Sequence, residues 1–381
     1  MTRPRVLVVD DEPGMLRAIE RVLSPSYEVR TVRRPLEALD AAADGGFALA
    51  LLDIRMPEMD GFELMARLVA VQPDLDVILM TGSTDERDSR LVRAIREKAF
   101  FFLTKPFDRE VLITLVERCL DLHRLDAENR AHVARLEREL AAARVFQQSL
   151  LPGTRVAGGG FEVDLHYEPC DELGGDFCDV VLDDARPGAI LLTDVSGHGA
   201  AAAMLTGMIK QAFHAAAPEH FAPGSVLQRI LAASRLFAYA RHLSAVCVRV
   251  HPGSTTIEYA SAGHPPALIL KPGGALRRLE SSAPLIHPDL PEWHCEQRTA
   301  RLERDESLLL YTDGLIEAMN AAGEHFGAQR LEAVARAMAG HPDRAGAAAV
   351  DALAPLRRAL DEFVDGRSLD DDLTLALLRH V

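Results

Sequence analysis

Residues 6–12 read Val-Leu-Val-Val-Asp-Asp-Glu, four apolar residues that end on a pair of carboxylates. The arrangement returns downstream. Leu49–Leu52 ends on Asp53, Val77–Met80 ends on Thr81, and Phe100–Leu103 is followed by Thr104 and Lys105. Tyr27–Val32 is a weaker fifth run, and helical spacing such as Met15, Ile19, Val22 and Leu23 lies between the runs. Short buried strands separated by helices predict a parallel sheet with helices on both faces. Ligands collect at the carboxyl ends of strands in such sheets. Asp10, Asp11, Asp53, Thr81 and Lys105 therefore share one sheet edge. A single aspartate at a strand end is ordinarily a solvated loop residue; five chemically matched residues at one edge are not. Three carboxylates cannot all stay ionised without a counter-charge. Mg²⁺ suits them, because it prefers oxygen ligands and keeps places open for water or phosphate. A lysine and a threonine could then hold an anion on Asp53, and a carboxylate can itself accept a phosphoryl group.

The whole chain has 381 residues, about two domains on length. Lys and Arg number 42 against 57 Asp and Glu, a formal charge of −15. That balance argues against binding a phosphate backbone, which needs a basic patch. No apolar run approaches the roughly 20 residues that span a bilayer, and Asp10 and Asp11 interrupt the first run too early for a signal peptide. Five scattered cysteines without a Cys-x-x-Cys pair predict reduced thiols in a cytoplasmic protein.

Residues 108–151 contain neither Gly nor Pro and are rich in Leu, Ala, Arg and Glu. Leu112, Leu115, Cys119 and Leu122, then Val133, Leu136, Leu140 and Ala143, follow a 3–4 spacing, with Asp126 and Asn129 on the same seam. This predicts one long helix. A heptad with a polar interruption is the pattern of a dimeric coiled coil; the alternative is a helix packed on its own domain. Pro152 ends it. The expected organisation is a first domain over 1–121, a helical linker over 122–150 and a second domain over 151–381.

In the second domain, β patterns at 161–166, 189–193, 244–250, 256–260, 267–270, 308–311 and 373–378 stand among helices near 199–217, 224–240, 327–339 and 344–363, which predicts an α+β sandwich. Its acidic signatures are Gly174-Gly175-Asp176, Asp194-Val195-Ser196-Gly197-His198-Gly199, Tyr311-Thr312-Asp313-Gly314 and Asp371-Asp372-Leu373-Thr374. Taken singly, Asp-Gly is a turn pair and His198 a capping or packing residue. Taken together, four carboxylates at strand ends would bind two hard cations, which can activate a water and clamp a phosphoryl oxygen.

Val8-Val9-Asp10-Asp11-Glu12, residues 53–61 (Asp-Ile-Arg-Met-Pro-Glu-Met-Asp-Gly), Thr81-Gly82 and Thr104-Lys105-Pro106-Phe107 resemble the receiver domain of two-component response regulators. The resemblance implies a doubly wound α/β fold with Asp53 as phosphoacceptor. It implies Mg²⁺ at Asp10, Asp11, Asp53 and the Arg55 carbonyl, Thr81 and Phe102 as the switch pair, and Lys105 on the phosphoryl group. Lys98 before Ala99 departs from the usual glycine. The second set of motifs, with the lead-in at 146–152 and Ser261-Ala262-Gly263-His264-Pro265-Pro266, resembles the PPM-type metal-dependent serine/threonine phosphatases of the SpoIIE-like branch. This implies two Mn²⁺ or Mg²⁺ ions. Asp194 would bridge them, Asp176 and the Val195 carbonyl would hold the first, and Asp313 and Asp371 the second. Asp179, Gly175 and His198 would stand in support. Cys178 replaces a usual aromatic residue.

Together the resemblances imply a response regulator that dephosphorylates a phosphorylated anti-anti-sigma (STAS-type) protein. Its phosphoryl group would come from a sensor histidine kinase, and the linker would join two copies. The alternative is a non-catalytic adaptor for a sigma factor or its regulator, but such adaptors tend to lose the metal carboxylates. A nucleotide cyclase is disfavoured because Gly174-Gly175-Asp176-Phe177 lacks the glutamate of that signature. No helix-turn-helix pattern supports DNA binding, and no partner membrane is expected.

Overall fold

The computed structural model describes residues 3–82, 101–197, 199–236, 241–290, 292–339 and 351–381. The predicted positions Lys98, Ala99 and His198 lie outside the described residues, as does Phe100. The chain divides into two compact units, 1–136 and 137–381.

The first unit has five strands: β1 (Arg5–Val9), β2 (Glu28–Val32), β3 (Phe47–Asp53), β4 (Asp76–Thr81) and β5 (Phe101–Thr104). All pair in parallel in the order β2-β1-β3-β4-β5. Alternation of side chains sends successive residues of β1 and β3 to opposite faces. Leu7, Val9, Ala50 and Leu52 pack with α2 (Pro35–Ala43) and α3 (Gly61–Val71). Val6, Val8, Leu49 and Leu51 pack with α1 (Pro13–Leu23) and with Leu112, Val116 and Cys119 of α4 (Arg109–Leu150). Both faces are covered, which is why these strands read as unbroken apolar runs. Asp60 caps α3 by accepting the Glu63 N–H at 2.7 Å.

The 42-residue α4 is continuous, and the division between the units falls inside it. Residues 131–142 are exposed on every side, including Val133, Leu136 and Leu140.

The second unit is a sandwich of two antiparallel sheets. One runs β14-β11-β10-β9-β8 and the other β13-β12-β15-β16-β7-β6. Their strands are β6 (Arg155–Gly158), β7 (Phe161–Glu168), β8 (Phe177–Val181), β9 (Gly188–Val195), β10 (Leu243–Val250), β11 (Thr256–Ala262), β12 (Ala267–Leu270), β13 (Leu276–Leu279), β14 (Arg298–Arg301), β15 (Ser307–Tyr311) and β16 (Leu373–His380). Ile190, Leu192, Val246, Val248, Leu308, Leu310, Ala376 and Leu378 fill the layer between the sheets. The opposite faces are covered by α5 (Ala200–His214) with α6 (Pro223–Ser234) and by α8 (Gly327–Ala339) with α9 (Ala354–Val364); the short α7 (Gly314–Glu317) follows β15. A helix is seen only over 354–364 of the predicted 344–363, residues 340–350 lying outside the described part. Strands β6, β8, β13 and β14 were not expected from the sequence. Among the described residues, no helix is long and apolar enough to cross a membrane.

Candidate functional site

The sheet of the first unit brings Asp10, Asp53, Thr81 and Lys105 to its carboxyl edge. Asp10 and Asp53 are buried. Lys105 Nζ donates to Asp10 Oδ2 and to Asp53 Oδ1, each at 2.6 Å. Burial works to lower the Lys105 pKa, but the two carboxylates prevail and hold it above its ordinary value. Burial pushes the Asp53 carboxyl up; Lys105 opposes this and the Asp10 charge reinforces it. The second Asp53 oxygen accepts the Arg55 N–H at 3.1 Å. The Lys105 N–H donates to the Thr81 carbonyl, so β4 carries the lysine beside the aspartate. A Cβ on Gly61 would lie 2.4 Å from the Asp53 carbonyl, so only glycine lets α3 start this close. Asp11 and Arg55 are exposed at the same edge. Phe102 is half-buried with its ring 6.4 Å from that of Phe62.

The second unit gathers carboxylates where its two sheets end. Asp176 precedes β8, Asp194 is the penultimate residue of β9, Asp313 follows β15, and Asp371 precedes β16. Asp194 lies on the same side of its strand as Ile190 and Leu192, toward the inter-sheet layer. Asp176 Oδ2 accepts from Thr312 Oγ1 at 2.7 Å and from Thr374 Oγ1 at 2.6 Å. Burial first, and then the Asp194 charge, drives Asp176 well above the carboxylate range despite those hydroxyls. Asp194 is pushed up to about 7 by burial and by Asp313, Asp371, Asp372 and Glu317. Asp313 is raised by burial and by Glu317.

The backbone around these groups is tightly fitted. Asp372 Oδ2 accepts the N–H groups of Gly175 (2.6 Å) and Asp176 (3.2 Å), and its Oδ1 accepts that of Cys170 (2.9 Å). A Cβ on Gly175 would stand 2.5 Å from the Val195 carbonyl. A Cβ on Gly314 would stand 2.0 Å from the Asp372 carbonyl. Gly314→Ala must therefore displace Asp371 and Asp372, and is expected to cost about 2 kcal/mol. Denaturant unfolding of the full chain checks this; an unchanged midpoint contradicts it.

Asp179 is placed apart from the other carboxylates. It shares the helix-covered side of β8 with Phe177, and its Oδ2 accepts from Lys210 (2.7 Å) and pairs with His214 (2.8 Å). Lys210 also donates to the Leu150 carbonyl at the end of α4, at 2.8 Å. Gln147 is buried on an otherwise exposed turn of α4. Its amide donates to the Gly174 carbonyl at 2.7 Å and accepts the Gly174 N–H at 3.3 Å. Thr312, Thr374, Asp372 and Gln147 were not assigned roles from the sequence, though each belongs to a motif singled out there.

Among the described residues, no three His, Cys, Asp or Glu side chains close into a cage for a metal ion. The donor chemistry nevertheless fits hard divalent cations. The charges of Asp313, Asp371 and Asp372 all bear on Asp194, and such charge is what a divalent cation offsets. The receiver-like edge presents the same kind of oxygens at Asp10, Asp11 and Asp53.

Residues 185–381 match the family model of stage II sporulation protein E (SpoIIE), and residues 6–117 match that of the response regulator receiver domain. The SiaA-PP2C domain of Pseudomonas aeruginosa superposes with a TM-score of 0.55 at 22% identity, over 66% of this chain and 99% of that one; this likeness shows the fold alone. Transcriptional regulatory protein GlrR of Escherichia coli (strain K12) is 33% identical over 147 residues, 38% of this chain and 33% of its own length. Two-component response regulator ARR11 of Arabidopsis thaliana is 40% identical over 105 residues, 27% of this chain and 20% of its own. The chain thus spans about a third or less of the length of these curated relatives.

Proposed function

The chain belongs to the SpoIIE family and carries a response regulator receiver domain ahead of the matched region, and on that premise we propose that it is a metal-dependent protein serine/threonine phosphatase controlled by phosphorylation of Asp53. The observation that carries this reading is the set of carboxylates around Asp194, whose own carboxyl is pushed up to about 7 by burial and by the charges of Asp313, Asp371, Asp372 and Glu317. In this reading Asp176, Asp194 and the Val195 carbonyl hold one Mn²⁺ or Mg²⁺, and Asp194, Asp313 and Asp371 the other, with Gly175 and His198 beside them. When bound, such cations lower the pKa of a water and offset phosphoryl charge. Thr312 and Thr374 keep Asp176 aimed, and Asp372 holds the Gly175–Asp176 backbone. Asp179 acts from a distance, by anchoring Lys210 and His214. Water and a phosphoseryl side chain give serine and inorganic phosphate. A non-catalytic adaptor would have no use for four such carboxylates.

The proposed receiver domain covers 1–121, the linker 122–150 and the phosphatase domain 151–381. A sensor histidine kinase supplies the phosphoryl group to Asp53; Asp10, Asp11, Asp53 and the Arg55 carbonyl take Mg²⁺; Lys105, Thr81 and Phe102 read the phosphorylated state. The substrate is a phosphorylated STAS-type protein of a partner-switching circuit in the cytoplasm. The exposed seam of Val133, Leu136 and Leu140 supports a homodimer through α4, since a lone helix gains nothing by exposing it. Gln147 and the Leu150 carbonyl support the linker as the moving part, because α4 grips the Asp176 loop and Lys210 at those points. A two-position element of this kind is what a phosphorylation switch requires.

Phosphate release from p-nitrophenyl phosphate and from a phosphoseryl STAS-type protein tests the reading. Turnover that needs Mn²⁺ or Mg²⁺, stops with chelator and is lost in Asp313→Ala is expected. Absence of turnover on both substrates at saturating metal contradicts it.

A further inference from the structure

The carboxylates of the second unit come from both sheets: Asp194 from the five-stranded sheet, Asp313 and Asp371 from the six-stranded one. Their separation therefore depends on what ties the sheets together at this end. Most of the layer between them is apolar and non-directional. Directional ties at this end are the hydrogen bonds of Asp176 with Thr312 and Thr374 and one of the places where the chain itself crosses, Gly263-His264-Pro265-Pro266 between β11 and β12.

His264 is 3% exposed. Its Nδ1 lies 2.7 Å from Ser244 Oγ, and Ser244 is buried directly opposite Asp194 in the β9–β10 ladder. Its Nε2 is also buried and has no hydrogen-bond partner among the described residues, and the Tyr311 backbone is the group of β15 that acts on the ring. Tyr311 ends β15, two residues before Asp313. The β12–β15 ladder pairs Leu268 with Leu309, so its continuation sets Pro266 opposite Tyr311. Proline has no N–H to give there. Burial pushes the ring pKa down to about 3, so the ring is neutral. A neutral ring has one donor and one acceptor nitrogen. In the tautomer in which the Ser244 hydroxyl donates to Nδ1, the ring N–H falls on Nε2. A buried polar ring costs stability that a phenylalanine of similar size would not.

We propose that His264 is a positioning residue: held to Ser244 on the β11–β12 crossing and set beside the end of β15, it fixes the spacing of Asp194 and Asp313 and so the affinity of the site for divalent metal. This rests on the carboxylates being a metal centre.

The test is Mn²⁺ binding by electron paramagnetic resonance in the full chain carrying Asp11→Ala, which removes a receiver carboxylate. Alongside it, the Mn²⁺ concentration for half-maximal hydrolysis of p-nitrophenyl phosphate is measured. His264→Phe is expected to weaken binding about tenfold, the usual scale for groups that orient metal ligands. The half-maximal concentration should rise equally, with the rate at saturating metal changed less than about threefold. His264→Gln, which restores a donor, should recover most of the loss. Ile269→Ala in the same core, matched for lost melting temperature, should leave binding unchanged. Should His264→Phe fail to fold, Ser244→Ala removes the partner of Nδ1 and should weaken binding in the same direction. Binding equal to the parent in His264→Phe, or in Ser244→Ala where that variant replaces it, overturns the proposal. So does equal weakening in Ile269→Ala. Binding that survives Asp194→Ala overturns the metal reading itself, and His264's role with it.

Discussion

Asp194→Asn should produce a protein that has lost turnover by at least about a thousandfold, the scale on which a preorganised charge acts, and that melts higher than the parent when metal is removed. The two effects share one cause. Asp194 titrates at about 7 because burial and then the charges of Asp313, Asp371, Asp372 and Glu317 disfavour its ionised form. Between about pH 4 and 7 the native state keeps a proton that the unfolded chain has released, so parent stability falls as pH rises through that window and levels off above it. A carboxyl moved that far accounts for up to about 4 kcal/mol. Partial exposure reduces this to about 2 kcal/mol, or about 5 °C for a unit of this size. Asparagine has nothing to ionise, so its advantage should be small at pH 4, grow toward pH 7 and persist at pH 8. Mn²⁺ should stabilise the second unit of the parent by mass action and leave that unit of the variant unmoved. Calorimetry at pH 4 and pH 8, with chelator and with Mn²⁺, checks each part. A variant that melts below the metal-free parent at pH 8 would show that the carboxylate is not held under strain.

Lys105→Met should act in the opposite sense on the first unit. Its ammonium is the shared partner of Asp10 and Asp53, with side chains 1% and 10% exposed. Removing one member of a buried ionic group leaves the others uncompensated, at a cost of about 3 kcal/mol. The receiver transition should drop by roughly 10 °C at pH 7. The loss should shrink toward pH 5, as the raised Asp53 carboxyl takes up a proton, and shrink again with millimolar Mg²⁺ at neutral pH. Labelling of Asp53 by acetyl phosphate should fall with it. Unchanged melting in chelator would mean that Asp10 and Asp53 do not depend on the lysine.

The first unit was legible almost residue by residue. Its strands are buried on both faces, so each writes a plain apolar run, and the chemistry stands immediately after the run in sequence and at its end in space. Asp10, Asp53, Thr81 and Lys105 could be placed on one edge from pattern alone. The 42-residue helix was equally visible, because nothing between 108 and 151 breaks it.

The second unit was legible only in part, and its missed strands share a property. β8, β14, β6 and β13 are the four outer strands of the two sheets. Outer strands are short and carry charge, as Leu-Arg-Arg-Leu at 276–279 and Arg-Thr-Ala-Arg at 298–301 do. In β8 the run is broken by Asp179, which the resemblance sets in support of the metal centre and which the fold pairs with Lys210 and His214. The hydroxyls on Asp176 were hidden for another reason. Thr312 and Thr374 meet Asp176 only because β15 and β16 are neighbours, a pairing across more than sixty positions that spacing cannot express. Gln147 lay inside a recognised lead-in segment, yet its reciprocal bond to Gly174 needed the fold.

Under the proposed function, the state of Asp53 sets the rate of a metal-dependent phosphatase. This is tested most directly by the rate of phosphate release from a phosphoseryl STAS-type protein at saturating Mn²⁺, with and without acetyl phosphate, in the parent and in Asp53→Ala. A metal-dependent rate is expected in both proteins, with a severalfold change on adding acetyl phosphate in the parent alone. The same rate in the parent with and without the donor, while Asp53 is demonstrably phosphorylated, would contradict it.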